Sequence, residues 1–189
     1  GRFEAEIVQV DELKQDEHPR PETTAGQLAG LRPAFSKTGT ITAGNASGIN
    51  DGAAMLVVCD EETARERNWK PLAAIRAWTV VGCAPAEMAL GPVHATRALC
   101  AETGRAAADF DAVELNEAFA AQSIACVRDL GLDEPRVNPD GGAIALGHPI
   151  GASGARLVVH LAHRIAAGLT RRGLATLCVG GGMGAAGVF

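Results

Sequence analysis

The sequence lacks the features that mark membrane, secreted and nucleic-acid-binding proteins. No apolar run among its 189 residues reaches the roughly 18 residues of a membrane-spanning helix, and the first residues have neither the build of a signal peptide nor an initiator methionine. The net charge is −5 and no long block of like charge occurs, so nucleic acid is not an expected partner. We expect no membrane association, and a chain truncated at its front.

The sequence also lacks a cysteine pattern typical of disulfide pairing. The five cysteines have no C-x-x-C spacing, and their number is odd in a chain long enough to fold without disulfides. Reduced thiols in a cytoplasmic setting are the simplest interpretation. Four of them lie in apolar stretches and are expected in the core: Cys59, Cys83, Cys100 and Cys126. Trp69 and Trp78 are likewise expected to pack near the second strand.

What is present is the balance of a globular domain, with 47% hydrophobic and 21% charged residues. From residue 53 onwards, apolar runs of strand length alternate with segments of helical length, which predicts an α/β fold with helices over a mixed sheet. The expected strands are residues 53–59, 72–81, 112–115, 175–179 and 185–189. The expected helices are residues 61–67, 93–103, 118–130 and 151–168.

The first part of the chain is less regular. Residues 7–10 have the pattern of a short strand, and residues 16–21 contain two prolines and are expected to form an irregular turn. Thr23 or Thr24 is expected to cap a short helix that Gly30 ends. Residues 37–52 are too polar for a buried element and predict a loop of the kind that often carries function. A second loop is expected at residues 138–149.

Three segments are too polar and too rich in glycine to be explained by packing. Each lies where a strand ends or a helix begins, the positions at which α/β sheets carry active sites. In the first, residues 115–120, a strand leads Asn116 and Glu117 directly into a helix. From these residues alone, Asn116 suits either a helix N-cap or a site residue.

The second segment, residues 141–154, contains His148 followed by Pro149, a residue that suits the first turn of a helix. A helix entrance disfavours a positive imidazolium, so His148 is expected to be neutral near pH 7 and able to act as a general base. A phosphate-binding loop is the alternative, but its G-x-x-x-x-G-K-[ST] pattern is absent.

The third segment, residues 178–184, places Cys178 at a strand end before a run of glycines. A strand cysteine is usually inert and buried. The glycines favour a functional role, since their backbone N–H groups are able to point at a developing oxyanion. His160 and His163 lie three apart on one helix, but no carboxylate or cysteine nearby in the sequence completes a metal site, and no metal is predicted.

In order along the chain, four motifs resemble the signature series of the thiolases, the acetyl-CoA C-acyltransferases: residues 43–48, 116–119, 147–154 and 178–182. The resemblance extends over essentially the whole chain, and the order and spacing of the motifs make it specific. It implies a thiolase-like α/β fold, C-terminal half, with layered helices over a mixed five-stranded sheet. Residues 1–51 would be the end of the loop domain, with its coenzyme A segment, and residues 52–189 the C-terminal domain.

The resemblance also implies a chemistry. His148 would activate a nucleophilic cysteine and help to bind the thioester oxygen, and Asn116 would hold a water that completes this oxyanion site. Cys178 would move the proton at the reacting carbon, and the amide of Gly180 would help to form a second oxyanion hole. The implied reaction is thiolytic cleavage of a 3-ketoacyl-CoA or Claisen condensation of acetyl-CoA, within fatty acid metabolism.

The implied partners follow from the same resemblance. Coenzyme A and acetyl-CoA are substrates, and no cofactor is expected to be bound permanently. The coenzyme A pocket would involve Arg20, Phe35, Ala43 and Ser47, and the acyl pocket Met88 and Phe119. An N-terminal thiolase half and a homodimeric or homotetrameric assembly are the implied protein partners.

Two departures from the family pattern matter. Met183 stands where many thiolases have glutamine, a change we expect to be tolerated because the backbone glycines carry the proposed role. No cysteine lies in the V-C-x-S-G context of the acyl-accepting cysteine, which in thiolases lies in the N-terminal half. Without that thiolate there is no covalent intermediate, so the chain alone is predicted to be inactive.

Two other interpretations remain open. A ketoacyl synthase relative would share the fold, but the pairing of His148 with Cys178 favours a thiolase. A noncatalytic module that binds coenzyme A or acyl-CoA would need only the loops around Arg20 and Ser47.

Overall fold

A four-stranded mixed sheet forms the centre of the computed structural model, which describes residues 1–189. Its strands are β1 (Ala77–Gly82), β2 (Ala112–Leu115), β3 (Gly173–Val179) and β4 (Met183–Val188). Their spatial order is β1-β4-β3-β2, with β2 parallel to β3 and β4 antiparallel to both of its neighbours. The parallel pair needs a long crossover, and the helices and loops between β2 and β3 supply it.

Six α-helices accompany the sheet, and their ends follow the local sequence. They are α1 (Ala25–Ala29), α2 (Glu61–Glu66), α3 (Gly91–Thr103), α4 (Ala120–Leu130), α5 (Ala143–Leu146) and α6 (Ser153–Ala166). The Thr24 side chain caps α1 through a capping box, and Asp60 caps α2. Helices α3 and α4 end at Gly104 and Gly131, which adopt the left-handed backbone conformation that glycine tolerates best.

Helices cover the two faces of the sheet unequally. Helix α3 packs on β1, β3 and β4 and forms a core of ten buried residues that includes Leu99 and Phe110. On the other face α6 packs on β2 and β3 through Leu157 and Leu161. The part of this second face that β1 contributes stays open, and there the side chains of Trp78 and Val80 are 70% and 55% exposed.

Residues 53–59 depart most from the expectation. They were predicted as a buried strand, but they are irregular, and Met55, Val57 and Val58 are exposed. A buried strand needs neighbours for its backbone and for both sets of side chains, and this segment has none within the chain. The five-stranded sheet expected from the sequence is therefore wrong, and the sheet has four strands.

Smaller differences concern the bounds of single elements and the exposure of single side chains. The strand predicted at residues 72–81 begins only at Ala77, and residues 7–10 form no strand beyond an isolated bridge between Val10 and Leu13. The loop predicted at residues 138–149 contains the short helix α5. Three residues predicted to pack in the interior are instead exposed: Cys59, Trp69 and Trp78. Of the other cysteines predicted in the core, Cys126 is buried, and Cys83 and Cys100 are partly buried.

Candidate active site at the ends of strands β2 and β3

Asn116 continues strand β2 by one residue into the site. Its backbone N–H donates to the carbonyl of Thr176 on β3 at 3.0 Å, and the residue is fully buried. It is not a helix cap, because α4 begins at Ala120 with Phe119 as its N-cap residue. Its side-chain Nδ2 lies 3.3 Å from Nε2 of His148, whereas its Oδ1 is buried with no protein partner. An unpaired buried acceptor of this kind suits a bound water.

The hydrogen bonds around His148 define which ring nitrogen carries the proton. Nδ1 lies 2.6 Å from Oγ of Ser153, and that hydroxyl donates its one proton to the carbonyl of Pro149 at 3.0 Å. Ser153 must therefore accept from Nδ1–H, which leaves Nε2 of the neutral ring as an unprotonated base facing the amide of Asn116. This is the tautomer that a general base directed towards Asn116 requires.

Burial and a neighbouring cation keep the imidazole of His148 neutral. Burial lowers its pKa below the ordinary 6.5, and the positive charge of Arg156 lowers it further. The direction agrees with the expectation from the sequence, but the cause differs. Helix α6 begins only at Ser153, and residues 149–152 form a turn, so His148 does not lie at the helix entrance.

Two polar residues hold the loop that carries His148. The backbone N–H of His148 donates to Oδ1 of Asn50 at 3.0 Å, and Asn50 in turn contacts Nδ1 of His18 at 3.2 Å. Gly147 has a positive φ of 103°, and a Cβ on it would lie 2.8 Å from the Asn50 amide. The residue before His148 must therefore be glycine for the polar loop to approach this closely.

A second set of contacts fixes the start of the same loop to the end of β2. The Asn138 side chain pairs with both the N–H and the C=O of Leu115, at 2.9 and 2.8 Å. The Glu117 carboxylate accepts from Asn138 Nδ2 at 3.1 Å and from the backbone N–H of Ile144 at 3.2 Å. Glu117 thus has a structural explanation, since it binds the loop to the strand that carries Asn116.

Cys178 lies at the same edge of the sheet. Because Leu115 pairs with Thr176 in the parallel ladder, Cys178 at the end of β3 is beside the end of β2. By the alternation of side chains in a pleated strand, Asn116 and Cys178 leave opposite faces of the sheet, and no hydrogen bond joins Cys178 to Asn116 or His148. Burial raises the pKa of the Cys178 thiol, so it is protonated near pH 7.

Gly180 follows in the turn between β3 and β4. It is exposed, and a Cβ on it would meet no atom within 4 Å. Its neighbours Gly181 and Gly182 have φ values of 88° and 98°, and a Cβ on Gly182 would lie 2.6 Å from the carbonyl of Cys83. The steric need for glycine therefore falls on 181 and 182, and Gly180 itself is exposed at the end of the sheet.

The residues expected in the coenzyme A and acyl pockets form a looser group. Ser47 donates to the carbonyl of Ala118 through its N–H at 3.0 Å and through its Oγ at 3.1 Å. The rings of Phe35 and Phe119 meet edge to face at 5.9 Å between centroids. These contacts place the polar loop of residues 37–52 against the start of α4. Arg20 and Ala43 are exposed, and Met88 is partly buried in the short 3-10 helix Pro85–Leu90.

The site is an open edge of the sheet and not a closed cavity. A cavity of about 500 Å³ lies at the opposite end of the sheet, where Arg76, Arg172 and Phe189 are among its lining residues. None of the predicted site residues lines it. The structure has no cluster of three or more metal-ligating side chains, and both ring nitrogens of His160 face carboxylates.

Sequence reasoning missed several residues that support the site. These are Asn50, Asn138, Ser153 and Arg156. Ser153 lay within a motif already singled out, and the position of Asn50 in a polar loop was a weak signal. Asn138 and Arg156 act across 20 or more positions in the chain, and the sequence alone carries no signal for them.

Comparison with known proteins gives a consistent result over the whole chain. The family profile described as thiolase, C-terminal domain, matches residues 69–189, and the one described as thiolase, N-terminal domain, matches residues 1–62. The acetyl-CoA acetyltransferase of Escherichia coli (strain K12) is 52% identical over an alignment of 194 positions, and the alignment covers 98% of this chain and 49% of that protein. The acetyl-CoA acetyltransferase of Thiocystis violacea is 50% identical, with 98% and 50% covered.

Solved structures agree with the fold. The acetyl-CoA acetyltransferase of Bacillus anthracis superposes with a TM-score of 0.90 at 46% identity, over 97% of this chain and 47% of that one. The human mitochondrial 3-ketoacyl-CoA thiolase in complex with CoA superposes with a TM-score of 0.87 at 42% identity, over 96% and 46%. The chain thus spans about half the length of the relatives it matches. None of its helices combines the length and apolarity needed to cross a membrane.

Proposed function

This chain belongs to the thiolase family, and we propose from that premise that it carries the base and proton-transfer half of an acyl-CoA acyltransferase site. The observation that carries the proposal is the array of Asn116, His148 and Ser153, in which an unprotonated Nε2 faces a buried amide. The proposed reaction is thiolytic cleavage of a 3-ketoacyl-CoA or its reverse, the condensation of acetyl-CoA.

Each proposed role follows from the local chemistry. Nε2 of His148 takes the proton of a nucleophilic cysteine thiol, and the resulting thiolate attacks the keto carbon of the substrate. Breaking the carbon–carbon bond leaves a carbanion next to the thioester, which is stabilised as an enolate by donors at the sheet edge. Cys178, protonated because of its burial, gives its proton to that carbon. The Cys178 thiolate regains its proton from the His148 imidazolium through solvent, and the neutral imidazole then takes the proton of a coenzyme A thiol, whose thiolate attacks the acyl-cysteine. The acyl group leaves as acyl-CoA, and the nucleophilic cysteine is left as a thiolate beside the protonated His148.

The nucleophilic cysteine is proposed to come from an N-terminal thiolase half. Two surfaces suit such a partner: the apolar residues 53–59, which have no strand neighbours, and the open sheet face that exposes Trp78 and Val80. In an assembly, the apolar side chains of both surfaces would be buried and would no longer contact water. We place the boundary between the loop domain and the C-terminal domain at residue 52, and propose a homodimer or homotetramer in a cytoplasmic setting, where the five free thiols would stay reduced.

Coenzyme A is proposed to bind as a substrate against the polar loop. Ser47 and Ala43 in this loop, with Phe35 and Arg20 before it, are proposed to contact coenzyme A, and Phe119 and Met88 to border the acyl group. The contact between Phe35 and Phe119 supports the proposal, because it brings the loop to the helix that follows Asn116.

The test is reconstitution. The 189-residue chain, co-expressed with the N-terminal half of the E. coli acetyl-CoA acetyltransferase, is expected to co-purify with it and to cleave a 3-ketoacyl-CoA when coenzyme A is supplied. The chain alone is expected to show no thiolysis. If a reconstituted pair binds coenzyme A tightly but turns over no faster than its His148→Ala variant, the chain is a binding module and not part of an enzyme.

A further inference from the structure

A buried ion pair lies directly beside the catalytic array. Glu114 is on β2, two residues before Asn116, and Arg156 is on α6, three residues after Ser153. Nη1 of Arg156 donates to Oε2 of Glu114 at 3.3 Å. The Glu114 side chain is fully buried and that of Arg156 is 19% exposed.

The spacing places this pair in line with the array. Side chains two apart on a strand share a face, and side chains three apart on a helix are neighbours. Strand β2 therefore presents Glu114 and Asn116 to α6, and α6 presents Arg156 and Ser153 to β2. The two elements are joined twice, once through the imidazole of His148 and once through the ion pair.

The pair is poorly built for stability alone. Oε1 of Glu114 and Nη2 of Arg156 are both buried without a hydrogen-bond partner. A buried ion pair with unsatisfied atoms stabilises a fold no better than apolar side chains of similar volume, because the desolvation of both charges offsets their attraction. This observation favours a role for the charge itself.

Several charged side chains surround Glu114, and Nε2 of His160 lies 3.9 Å from its Oε1. Burial raises the pKa of Glu114 to about 7, although Arg156, His160 and Arg164 each act to lower it. His160 is itself held by Glu6 and Asp140, which also contacts Arg164. Those two carboxylates are thus engaged by His160 and Arg164, and the positive charge of Arg156 acts on His148.

We propose that Arg156, held by Glu114, is a positioning residue that keeps the imidazole of His148 aligned between Asn116 and Ser153. The proposal rests on the role of His148 in the proposed function. Arg156 touches no reacting atom in this account. It acts by fixing the distance between β2 and α6 at the level of the site. Its positive charge also opposes protonation of the imidazole ring.

The experiment reads the imidazole itself. The ring of His148 is titrated by NMR in the complete 189-residue chain, labelled with ¹⁵N-histidine, for the parent, Arg156→Met, and the double variant Glu114→Leu with Arg156→Met. The expected result is an upward shift of the His148 titration midpoint in both variants. The Arg156→Lys variant, which keeps the charge, is expected to retain the low midpoint. The double variant leaves no unpaired buried charge, so it keeps the test available if the single variant does not fold.

Arg164→Met with Asp140→Leu is the matched control, since it removes another buried ion pair from the same helix. It is expected to leave the His148 midpoint in place. An unchanged midpoint in both Arg156 variants would overturn the proposal, as would an equal shift in the control.

A second measurement uses the reconstituted enzyme. Because removal of the Arg156 charge favours the protonated ring, the acidic limb of the kcat/KM profile is expected to move to higher pH, and kcat is expected to fall by about tenfold to a hundredfold with little change in KM. An unchanged acidic limb would contradict the proposal. If the reconstituted enzyme is inactive altogether, the proposed function fails, while the NMR titration still decides the role of Arg156.

Discussion

At the scale of single residues, the site depends on which nitrogen of His148 carries a proton. Ser153 fixes this choice because its only hydroxyl proton is directed to Pro149. A backbone-anchored serine is a compact way to set a tautomer, since it needs no second charged residue beside the base.

Replacing Ser153 with alanine tests this directly. Without the serine oxygen as its acceptor, Nδ1 is no longer favoured as the protonated nitrogen, and the ring is free to rotate or to change tautomer. We expect kcat of the reconstituted enzyme to fall by about tenfold or more, with KM little changed, in line with general-base effects. Ser123→Ala, on α4, serves as the control, because the Ser123 hydroxyl donates only to the side chain of its neighbour Gln122. Equal activities of the two variants would remove Ser153 from the account.

Cys178 gives a second prediction at this scale. Because burial raises the pKa of its thiol, little thiolate is present near neutral pH, and alkylation depends on the thiolate. Treatment of the chain with iodoacetamide at pH 7.5 or thereabouts should therefore modify the exposed Cys59 well before Cys178, as read by peptide mass spectrometry. Faster labelling at Cys178 would mean that its thiol is activated and does not act as the proton donor.

The residues at the site could be predicted only in part from the sequence. Asn116, His148 and Cys178 stand in short motifs at the ends of apolar runs, where local pattern and chemistry agree. Arg156 and Asn50 could not be found in this way, because their importance comes from contacts 42 and 98 positions away along the chain.

At the scale of elements, the N-terminal segment contacts α6 through His160, and Arg2 also pairs with Asp140 at 3.5 Å. Nδ1 of His160 lies 2.6 Å from Glu6 and Nε2 lies 3.2 Å from Asp140, so both nitrogens face acceptors and the doubly protonated ring is favoured. The ring of Phe3 lies over it, with 4.7 Å between centroids. Burial alone would lower the His160 pKa, but the hydrogen bond to Glu6 and the charges of Glu114, Glu6 and Asp140 raise it overall.

A pH dependence follows from this contact. Because the folded pKa is raised above the ordinary 6.5, the stabilisation is complete below that value and is lost as the pH rises through the folded pKa. The amides of Glu6 and Ile7, which donate to the carbonyl of Phe3, should lose hydrogen-exchange protection over this range after correction for intrinsic rates. His160→Gln should abolish the change and His163→Gln should keep it. Constant protection across the range would contradict this role for His160.

Residues 53–59 show why one element was predicted wrongly. An apolar run of strand length reports that a segment prefers apolar neighbours, but it does not report whether those neighbours are within the same chain. The strands that do form, such as Ala112–Leu115 and Gly173–Val179, have partners on the sheet and helices over them. The start of α1 was predictable because it depends on a local residue, Thr24. The helix predicted at residues 151–168 spans only Ser153–Ala166, because residues 150–152 form a turn.

The same segment gives a prediction with two opposite readouts. Val57→Lys should leave the thermal stability of the chain within about 0.5 kcal/mol, because the side chain is exposed. It should nevertheless prevent co-purification with the N-terminal thiolase half, whose surface would have to bury the charge. Leu157→Ala, in the core under α6, should instead cost about 2–5 kcal/mol. Normal co-purification of Val57→Lys would exclude this segment from the interface.

At the scale of the whole molecule, one face of the sheet is well covered by helices, and the other face is covered only in part. Helix α3 covers one side, while α6 covers only the β2 and β3 part of the other. Asn116, His148 and Cys178 lie at one end of this sheet, and no cysteine of the chain has the sequence context of the nucleophile. Membership of the thiolase family and coverage of about half of its relatives agree with this division of the chemistry.

The proposed function assigns one step to each of two residues of this chain. His148 activates the nucleophilic cysteine, and Cys178 transfers the proton at the reacting carbon. In the reconstituted pair, acetyl-CoA labelled in its acetyl group should transfer label to the cysteine of the N-terminal half. We expect His148→Ala to slow this acylation by about a hundredfold or more, whereas Cys178→Ala should keep it and lose only carbon–carbon bond formation and cleavage. Undiminished acylation in His148→Ala would exclude His148 as the base that activates this cysteine.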